Sequence, residues 1–187
     1  VRRVPERGRL LFAGRISKGK GVLELIRAVA LGGDAVRKVI LAGATPDKEY
    51  ENLVRRLIAE SGLADRIEFV GLLSETALID EFARAEALVL PSYQETAPMV
   101  VQQAMAAGLA VIATRVGGIP YQVEHDVTGL LFDPVDVEQL SSLLRRLAED
   151  CGLRARLGDA AKMVATARYE ARTIAKATYQ VYESILG

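Results

Sequence analysis

Two polar loops carry most of the residues in this sequence that could do chemistry. The first runs from Gly14 to Gly21 and contains Arg15 and Lys20. Glycines let a backbone approach a ligand closely, and a guanidinium and an ammonium both suit phosphate oxygens, so this loop predicts an anion site. It has neither the Gly-Lys-Ser/Thr ending of a Walker loop nor the spaced glycines of a dinucleotide fingerprint. Taken alone, such a loop is more often a solvated turn.

The second loop follows the apolar run from Ala87 to Leu90 and carries one acid, Glu95. A carboxylate there can accept hydrogen bonds from the hydroxyl groups of a bound sugar. The alternative is an acid that caps, or lies in the first turn of, the helix starting near Pro98. Gln103 comes eight positions after Glu95, and two polar side chains at that spacing can contact opposite ends of an elongated ligand.

A third candidate is the glycine pair Gly117 and Gly118, which follows another apolar run. Its backbone N–H groups could be presented to a phosphate or a hydroxyl. The other interpretation is a simple turn.

Six short apolar runs, alternating with segments of helical periodicity, must position these loops. The runs are Leu10–Ala13, Val39–Ala42, Ile67–Val70, Ala87–Leu90, Ala110–Ala113 and Gly129–Phe132. We therefore predict an α/β fold: a Rossmann-like, doubly wound parallel sheet of about six strands, with helices on both faces and a helical tail from about Leu153. We expect the sequence to form a single domain over residues 1–187.

Two of the intervening segments have specific helix signals. Between the second and third strands, one face of a helix is formed by apolar residues at i, i+3, i+4, i+7 and i+8, namely Tyr50, Leu53, Val54, Leu57 and Ile58. After the sixth strand, Asp136 with Gln139 resembles a capping box before a leucine-rich stripe.

The strand order assumed for this fold class explains why the first two loops belong together. In a sheet of order 3-2-1-4-5-6, the first and fourth strands are neighbours, and ligands bind outside their carboxyl ends. The loop at Arg15 and the loop at Glu95 would then face one crevice. This placement favours a functional site over a solvated turn.

Composition narrows the partners. The sequence has 24 basic and 24 acidic residues, so no overall field attracts nucleic acid or an anionic membrane. Cys151 and His125 are each the only residue of their type, which argues against a metal site, and we expect Cys151 to be a buried small hydrophobe. No run is apolar enough to span a bilayer and no signal peptide is visible, so we expect a soluble, cytoplasmic protein. Because the first residue is Val1, we expect a piece of a longer chain.

Taken together, these motifs resemble the C-terminal domain of GT-B retaining glycosyltransferases of the group 1, or GT4-like, class. The resemblance covers nearly the whole chain. Its motifs, in the order seen in that family, are Gly14-Arg15 with Lys20-Gly21, Phe69-Val70-Gly71, Pro91-Ser92 with Glu95, Ala104-Met105-Ala106 with Gly108, Gly117-Gly118-Ile119-Pro120 and Thr128-Gly129-Leu130-Leu131-Phe132.

The resemblance implies a domain that binds a nucleotide-diphosphate sugar (UDP-, GDP- or ADP-linked) as donor, without a metal or another cofactor. Arg15 and Lys20 would hold the diphosphate and stabilise the leaving group, and Glu95 would contact the donor sugar. Backbone groups of the following residues would contact the sugar and phosphate, with Gly14, Gly117 and Gly118 nearby: Thr96, Ala97, Pro98, Met99 and Val100. The transfer would retain the anomeric configuration.

The sequence departs from the family pattern at three places. Gln103 stands where a second glutamate usually holds the ribose, Ala44 and its neighbours replace a further glycine, and Tyr121 stands where an acid is common. The family's acceptor-binding N-terminal domain is absent, so we expect this chain to bind donor but to transfer sugar poorly by itself. Peripheral membrane contact would then belong to the longer protein.

Two other functions remain open at this stage. A non-catalytic nucleotide-sugar-binding module is suggested by Gln103. A sugar-phosphate synthase or a nucleotide-sugar epimerase is possible on the same fold.

Overall fold

A single six-stranded sheet organises the protein. The computed structural model describes residues 4–186, apart from the side chains at 171, 177 and 184–186. Its strands are β1 (Arg9–Ala13), β2 (Lys38–Ala42), β3 (Ile67–Gly71), β4 (Ala87–Leu90), β5 (Ala110–Thr114) and β6 (Leu130–Phe132). All pairs are parallel, in the order β3-β2-β1-β4-β5-β6. The predicted fold class and strand order are confirmed.

The strands form because their apolar runs are covered on both faces. Every residue of β1, β4, β5 and β6 is buried, as expected for parallel strands with helices on either side. In the centre of the sheet, Leu10 pairs with Ala87 and Leu11 with Leu88. This register brings the carboxyl ends of β1 and β4 side by side.

Eight helices complete the described chain. They are α1 (Val22–Leu31), α2 (Lys48–Glu60), α3 (Glu75–Arg84), α4 (Met99–Ala106), α5 (Ile119–Gln122), α6 (Val137–Glu149), α7 (Cys151–Tyr169) and α8 (Ala171–Leu186). Helix α1 packs against α2 and α6, and α4 packs against α7. Because crossovers between parallel strands are right-handed, the helices that follow β1 and β2 are expected on one face of the sheet and α4, which follows β4, on the other. The predicted helical tail is present as α7 and α8.

Side-chain caps fix where several helices begin. The Asp47 carboxylate accepts hydrogen bonds from the N–H groups of Glu49 and Tyr50, both at 3.0 Å, at the start of α2. At α6, Asp136 accepts from the Gln139 N–H at 2.8 Å, but the Gln139 side chain accepts from the Asp133 N–H instead of returning to Asp136. The predicted capping box is therefore half formed.

Two predictions about burial are wrong. In α2, Leu53 is 46% exposed because the covered stripe is narrower than predicted and is formed by Tyr50, Val54 and Ile58. Cys151 is also exposed, because it is the first residue of α7 and lies outside the helix face that packs on the sheet. The buried positions of α7 begin at Leu153.

Within residues 4–186, no helix combines the length and the apolar character needed to cross a bilayer. The same residues contain no group of three or more histidine, cysteine, aspartate or glutamate side chains that could hold a metal ion. Residues 1–3 and 187 of the predicted domain lie outside the described range.

Candidate functional site

The candidate site lies at the carboxyl ends of β1 and β4, where the winding direction of the sheet reverses. The loop after β1 contains a single turn of 3₁₀ helix, Lys18–Lys20, and ends at Gly21, which has φ +64°. A Cβ at Gly21 would lie 2.0 Å from the carbonyl oxygen of Pro91. Only glycine therefore allows this loop to approach the loop after β4 so closely.

The loop after β1 is also anchored on its other side. The Ile16 N–H donates to the carbonyl oxygen of Ala44 at 2.9 Å, and a Cβ at Gly43 would lie 1.9 Å from the carbonyl oxygen of Gly14. Arg15, between these anchors, is exposed. No hydrogen bond or ion pair of its guanidinium is present among the described residues, so its donors face solvent.

The loop after β4 is held by the protein at its base. Pro91 and Ser92 are buried, and the Thr114 hydroxyl donates to the Ser92 carbonyl oxygen at 2.6 Å. The Tyr93 N–H donates to the carbonyl oxygen of Gly19 at 2.9 Å. The two polar loops are therefore hydrogen bonded to each other through their backbones.

Their charged side chains also meet. The Nζ atom of Lys20 lies 2.5 Å from Oε1 of Glu95, and the two side chains are 27% and 10% exposed. A charge-assisted hydrogen bond of this kind, largely shielded from water, is stronger than an exposed ion pair. The structure thus brings together Lys20 and Glu95, which are 75 residues apart in the sequence.

Glu95 is not a helix cap. Helix α4 starts after Pro98, which supplies no side-chain cap, and the carboxylate of Glu95 is engaged with Lys20 instead. The first N–H groups of α4 therefore have no side-chain acceptor from the N-cap residue, which leaves the helix N-terminus suited to an anion or a hydroxyl oxygen.

The glycine pair after β5 acts differently from the prediction that both N–H groups could face a ligand. The Gly118 N–H donates to the carbonyl oxygen of Glu95 at 3.1 Å, so it is already used within the protein. A Cβ at Gly117 or Gly118 would lie 1.7 Å from the carbonyl oxygen of Glu95 or Thr96, respectively. The glycine pair therefore allows the loop after β5 to pack against the loop after β4 that carries Glu95, here called the acidic loop.

The remaining predicted site residues lie around the start of α4. Thr96 and Ala97 are exposed in the loop, and Met99 is 70% exposed in the first turn of α4. Val100 is partly buried and faces the same cavity as Gly14 and Arg15. Gln103 is exposed, one turn further along α4.

That cavity was not predicted from the sequence. It has a volume of about 340 Å³ and lies beside Arg15, between the ends of β1, β2 and β3. Its walls are mostly apolar and comprise Ala13, Gly14, Arg15, Ala42, Gly43, Ala44, Leu72, Leu73, Leu78 and Val100. The available signal was the pair Leu72 and Leu73 directly after the third strand, where Leu72 is 82% exposed.

Three side chains in or near the acidic loop carry ionisable groups that are buried or have a shifted pKa. Glu24 of α1 is 7% exposed and pairs with Arg27 at 3.1 Å. Burial, and then a hydrogen bond with Glu24, raise the pKa of Tyr93 to about 12. Burial, and then the charge of Glu24, raise the pKa of Tyr50 to about 12. Both phenols therefore stay neutral at ordinary pH.

The cavities around Cys151 lie away from this edge. They are lined by Arg7, Arg145 and Arg154 among others, and they lie near the residues that precede β1 and β4. This is the amino end of the sheet, where parallel α/β sheets do not usually bind their ligands. Their positions favour the edge with Lys20 and Glu95 as the candidate site.

Comparison with known proteins identifies the family of the chain. Residues 2–164 match the family described as "Glycosyl transferases group 1". The D-inositol 3-phosphate glycosyltransferase of Streptomyces avermitilis is 35% identical over 184 residues, which is 94% of this chain and 39% of that protein. The chain thus spans about two fifths of the length of this curated relative.

Solved structures show the same fold. The HepE protein of Anabaena, in complex with UDP and glucose, has a TM-score of 0.88 and 26% identity, over 95% of this chain and 48% of that one. The C-terminal domain of a group 1 glycosyl transferase (LpcC) from Francisella tularensis has a TM-score of 0.80 and 26% identity, over 90% of this chain and 89% of that one. The resemblance noted in the sequence is confirmed: this chain belongs to the group 1 glycosyltransferase family.

Proposed function

We propose that this chain is the donor-binding domain of a glycosyltransferase that moves a hexose from a nucleotide-diphosphate sugar to an acceptor hydroxyl, with retention of configuration. The observation that carries the proposal is the 2.5 Å contact between Lys20 and Glu95, at the edge of the sheet where the loop that carries Arg15 also begins. A diphosphate needs cations and a sugar needs hydrogen-bond acceptors. Lys20 and Glu95 supply one of each at the same place.

The cations would act on the leaving group. Arg15 can form a planar, two-point contact with a phosphate, and Lys20 offers a compact charge. As the bond between sugar and diphosphate breaks, negative charge grows on the departing phosphate. Fixed cations at that position stabilise the transition state more than the ground state.

The apolar cavity beside Arg15 suits the nucleobase. Ligand pockets typically measure about 300–1,000 Å³ and are mostly apolar, and this one, at about 340 Å³, is at the small end of that range. UDP is the nucleotide named with the Anabaena structure, which supports a UDP-linked donor here. A base in this cavity would direct the diphosphate towards Arg15 and Lys20.

The sugar would then lie over Glu95 and the start of α4. The carboxylate can accept hydrogen bonds from sugar hydroxyls, and the uncapped N–H groups near Met99 and Val100 can donate to oxygen. Gln103, further along α4, would accept from a ribose hydroxyl more weakly than a glutamate would.

Acceptor recognition would come from a part of the protein beyond this chain. The chain spans about two fifths of the D-inositol 3-phosphate glycosyltransferase of Streptomyces avermitilis, so the complete active site would form in a cleft with another domain. By itself, the chain is expected to bind donor and to transfer sugar poorly.

Donor binding can be tested by thermal unfolding in the presence of UDP, GDP, ADP and their sugar conjugates. A ligand at 100 times its Kd stabilises a protein by about 2.7 kcal/mol, which raises the Tm by several degrees in a domain of this size. We expect a rise with at least one diphosphate that is lost in Arg15→Ala/Lys20→Ala. Lys18→Ala, which removes an exposed cation from the same turn, is the matched control and should keep the rise.

The result that contradicts donor binding is equally clear. If no nucleotide raises the Tm of the wild-type chain, or if the double variant responds as the wild type does, the assignment of the crevice is wrong.

Transfer has its own test, in protein that includes the acceptor half. We expect turnover of one nucleotide sugar, and faster turnover or tighter nucleotide binding in Gln103→Glu. If wild type and variant both bind a donor but neither transfers nor hydrolyses it, the chain is a nucleotide-sugar-binding module. Use of a sugar phosphate as acceptor would identify a sugar-phosphate synthase, and interconversion of the donor without transfer would identify an epimerase.

A further inference from the structure

We propose that the Glu95 carboxylate discriminates against the free nucleoside diphosphate and thereby promotes its release after transfer. The inference rests on the proposed function, because it assumes that the diphosphate binds at Lys20. It adds a second role to Glu95, beyond contact with the donor sugar.

Lys20 and Glu95 already balance each other's charge within the protein. Lys20 and Glu95 form a 2.5 Å contact, and the Glu95 side chain is only 10% exposed. The loop that carries Glu95 is fixed by backbone hydrogen bonds from Tyr93 to Gly19 and from Gly118 to Glu95. The backbone of Glu95 is therefore held close to Lys20, so the carboxylate stays near any phosphate that approaches Lys20.

The product and the donor differ in the charge that they bring to Lys20. In a free nucleoside diphosphate, the terminal phosphate has a second ionisation with a pKa near 6, as phosphate monoesters do, so it carries nearly two negative charges at neutral pH. In a nucleotide sugar, the same phosphate is linked to the α-phosphate by an anhydride bond and to the sugar by an ester bond, so it carries one negative charge. The product therefore brings about one more negative charge to a place beside a fixed carboxylate.

The two ligands also differ in the hydrogen bonds that they can donate to Glu95 once Lys20 contacts a phosphate. When a phosphate takes the ammonium, an attached sugar can donate hydroxyl hydrogen bonds to the carboxylate and replace part of what was lost. A free diphosphate offers no such donors. A largely buried carboxylate that loses its partner without replacement is costly, so the product is penalised twice.

The Lys20–Glu95 pair therefore has a role in turnover. Cleavage of the sugar converts a ligand that Glu95 favours into one that it opposes, and the Lys20–Glu95 contact can then form again as the product leaves. Product release limits the rate in many enzymes, so a device that weakens product binding is useful at this point of the cycle.

The test is calorimetric binding of UDP and UDP-glucose to the wild-type chain and to Glu95→Gln. We expect UDP to bind the variant about tenfold more tightly, the size of one charge-assisted interaction, while UDP-glucose binds equally well or less tightly. Glu68→Gln, which removes an exposed carboxylate of β3 paired with Lys38, is the control and should change neither affinity.

A second measurement compares UDP with an analogue that differs from it in charge. The β-methyl ester of UDP has the single terminal charge of a donor but no sugar hydroxyls. We expect it to bind wild-type protein more tightly than UDP does, and we expect this difference to disappear in Glu95→Gln. This comparison separates repulsion of the extra charge from contact with the sugar.

Two results would overturn the inference alone: weaker or unchanged UDP binding in Glu95→Gln, or a wild-type chain that binds the methyl ester no more tightly than UDP. If the wild type binds neither UDP nor UDP-glucose nor the guanosine and adenosine equivalents, the proposed function fails as well. The two failures are therefore distinguishable.

Discussion

The α-carbon of Gly117 lies directly against the carbonyl oxygen of Glu95, so that a Cβ at Gly117 would come within 1.7 Å of that oxygen. Gly117 also has φ +50°, a conformation that side chains other than glycine rarely adopt. The neighbouring Gly118 N–H holds the same carbonyl at 3.1 Å. The position of the acidic loop is therefore set by the loop after β5.

Gly117→Ala should displace the acidic loop. The backbone strain and the overlap with the Glu95 carbonyl together are expected to cost at least about 2 kcal/mol of the free energy of unfolding, which lowers the Tm by about 4–8 °C. Nucleotide-sugar binding should weaken at the same time because Glu95 moves. Gly19→Ala is the control, because a Cβ there meets no atom within 4 Å. Equal Tm values for the two variants would contradict the steric argument.

Ala44→Trp tests the apolar cavity. Ala44 lines the cavity beside Arg15, and a tryptophan there would occupy the space assigned to the base. We expect UDP to bind at least about tenfold more weakly, as for the loss of about 1.4 kcal/mol of ring burial, in a competition assay. Inorganic pyrophosphate, which has no base, should bind as it does to the wild type. Ala64→Trp, at an exposed turn before β3, should change neither affinity.

Glu81→Gln tests the ion pair at the opposite edge of the sheet. Nη2 of Arg9 lies 2.7 Å from Oε2 of Glu81, and the two side chains are 8% and 11% exposed. In Glu81→Gln, Arg9 keeps only its 3.1 Å contact with the half-exposed Glu6 and loses the charge that its buried Nε and Nη2 groups face, so we expect a loss of about 2 kcal/mol in urea unfolding. Removing the exposed carboxylate in Glu68→Gln should cost less than about 1 kcal/mol. Similar losses in both variants would show that the burial of Arg9 has no energetic effect.

The tyrosines predict an alkaline pH dependence. Burial and the charge of Glu24 raise the pKa of Tyr50 from 10 to about 12. A raised pKa means that the folded protein holds its proton more tightly, so the associated stability is complete below pH 10 and is lost as the pH rises towards 12. Unfolding measured across this range should therefore depend less on pH in Tyr50→Phe than in the wild type.

Absorbance of tyrosinate provides the direct measurement. In the native protein, Tyr50 and Tyr93 should ionise near pH 12, whereas in denaturant all six tyrosines should ionise together near pH 10. A native titration with no component near pH 12 would contradict the environment described for Glu24.

The amino-acid pattern alone predicts the frame of the fold, which is the six strands and the two polar loops at their carboxyl ends. Each of the six apolar runs forms a strand, with ends within one residue of those predicted, because a parallel strand buried on both faces must be apolar along its length. The Gly14–Gly21 and Pro91–Pro98 segments lie at the carboxyl ends of β1 and β4, since connection rules leave few ways to wind such a sheet. The family followed from motifs spread along the same frame.

The burial of individual side chains and their hydrogen-bond partners depend on packing, and the sequence pattern does not reveal them. Periodicity does not show how wide the covered stripe of a helix is, so Leu53 belongs to the apolar face predicted for α2 and yet is 46% exposed. The expectation that Cys151 is buried rested on its residue type, which does not show that it begins a helix at the surface. The direction of a backbone N–H depends on the neighbouring loop, so the sequence could not show that Gly118 binds the Glu95 carbonyl. The cavity near Leu72 and the Lys20–Glu95 contact likewise join segments far apart in the chain, and such distances are fixed by packing and not by local spacing.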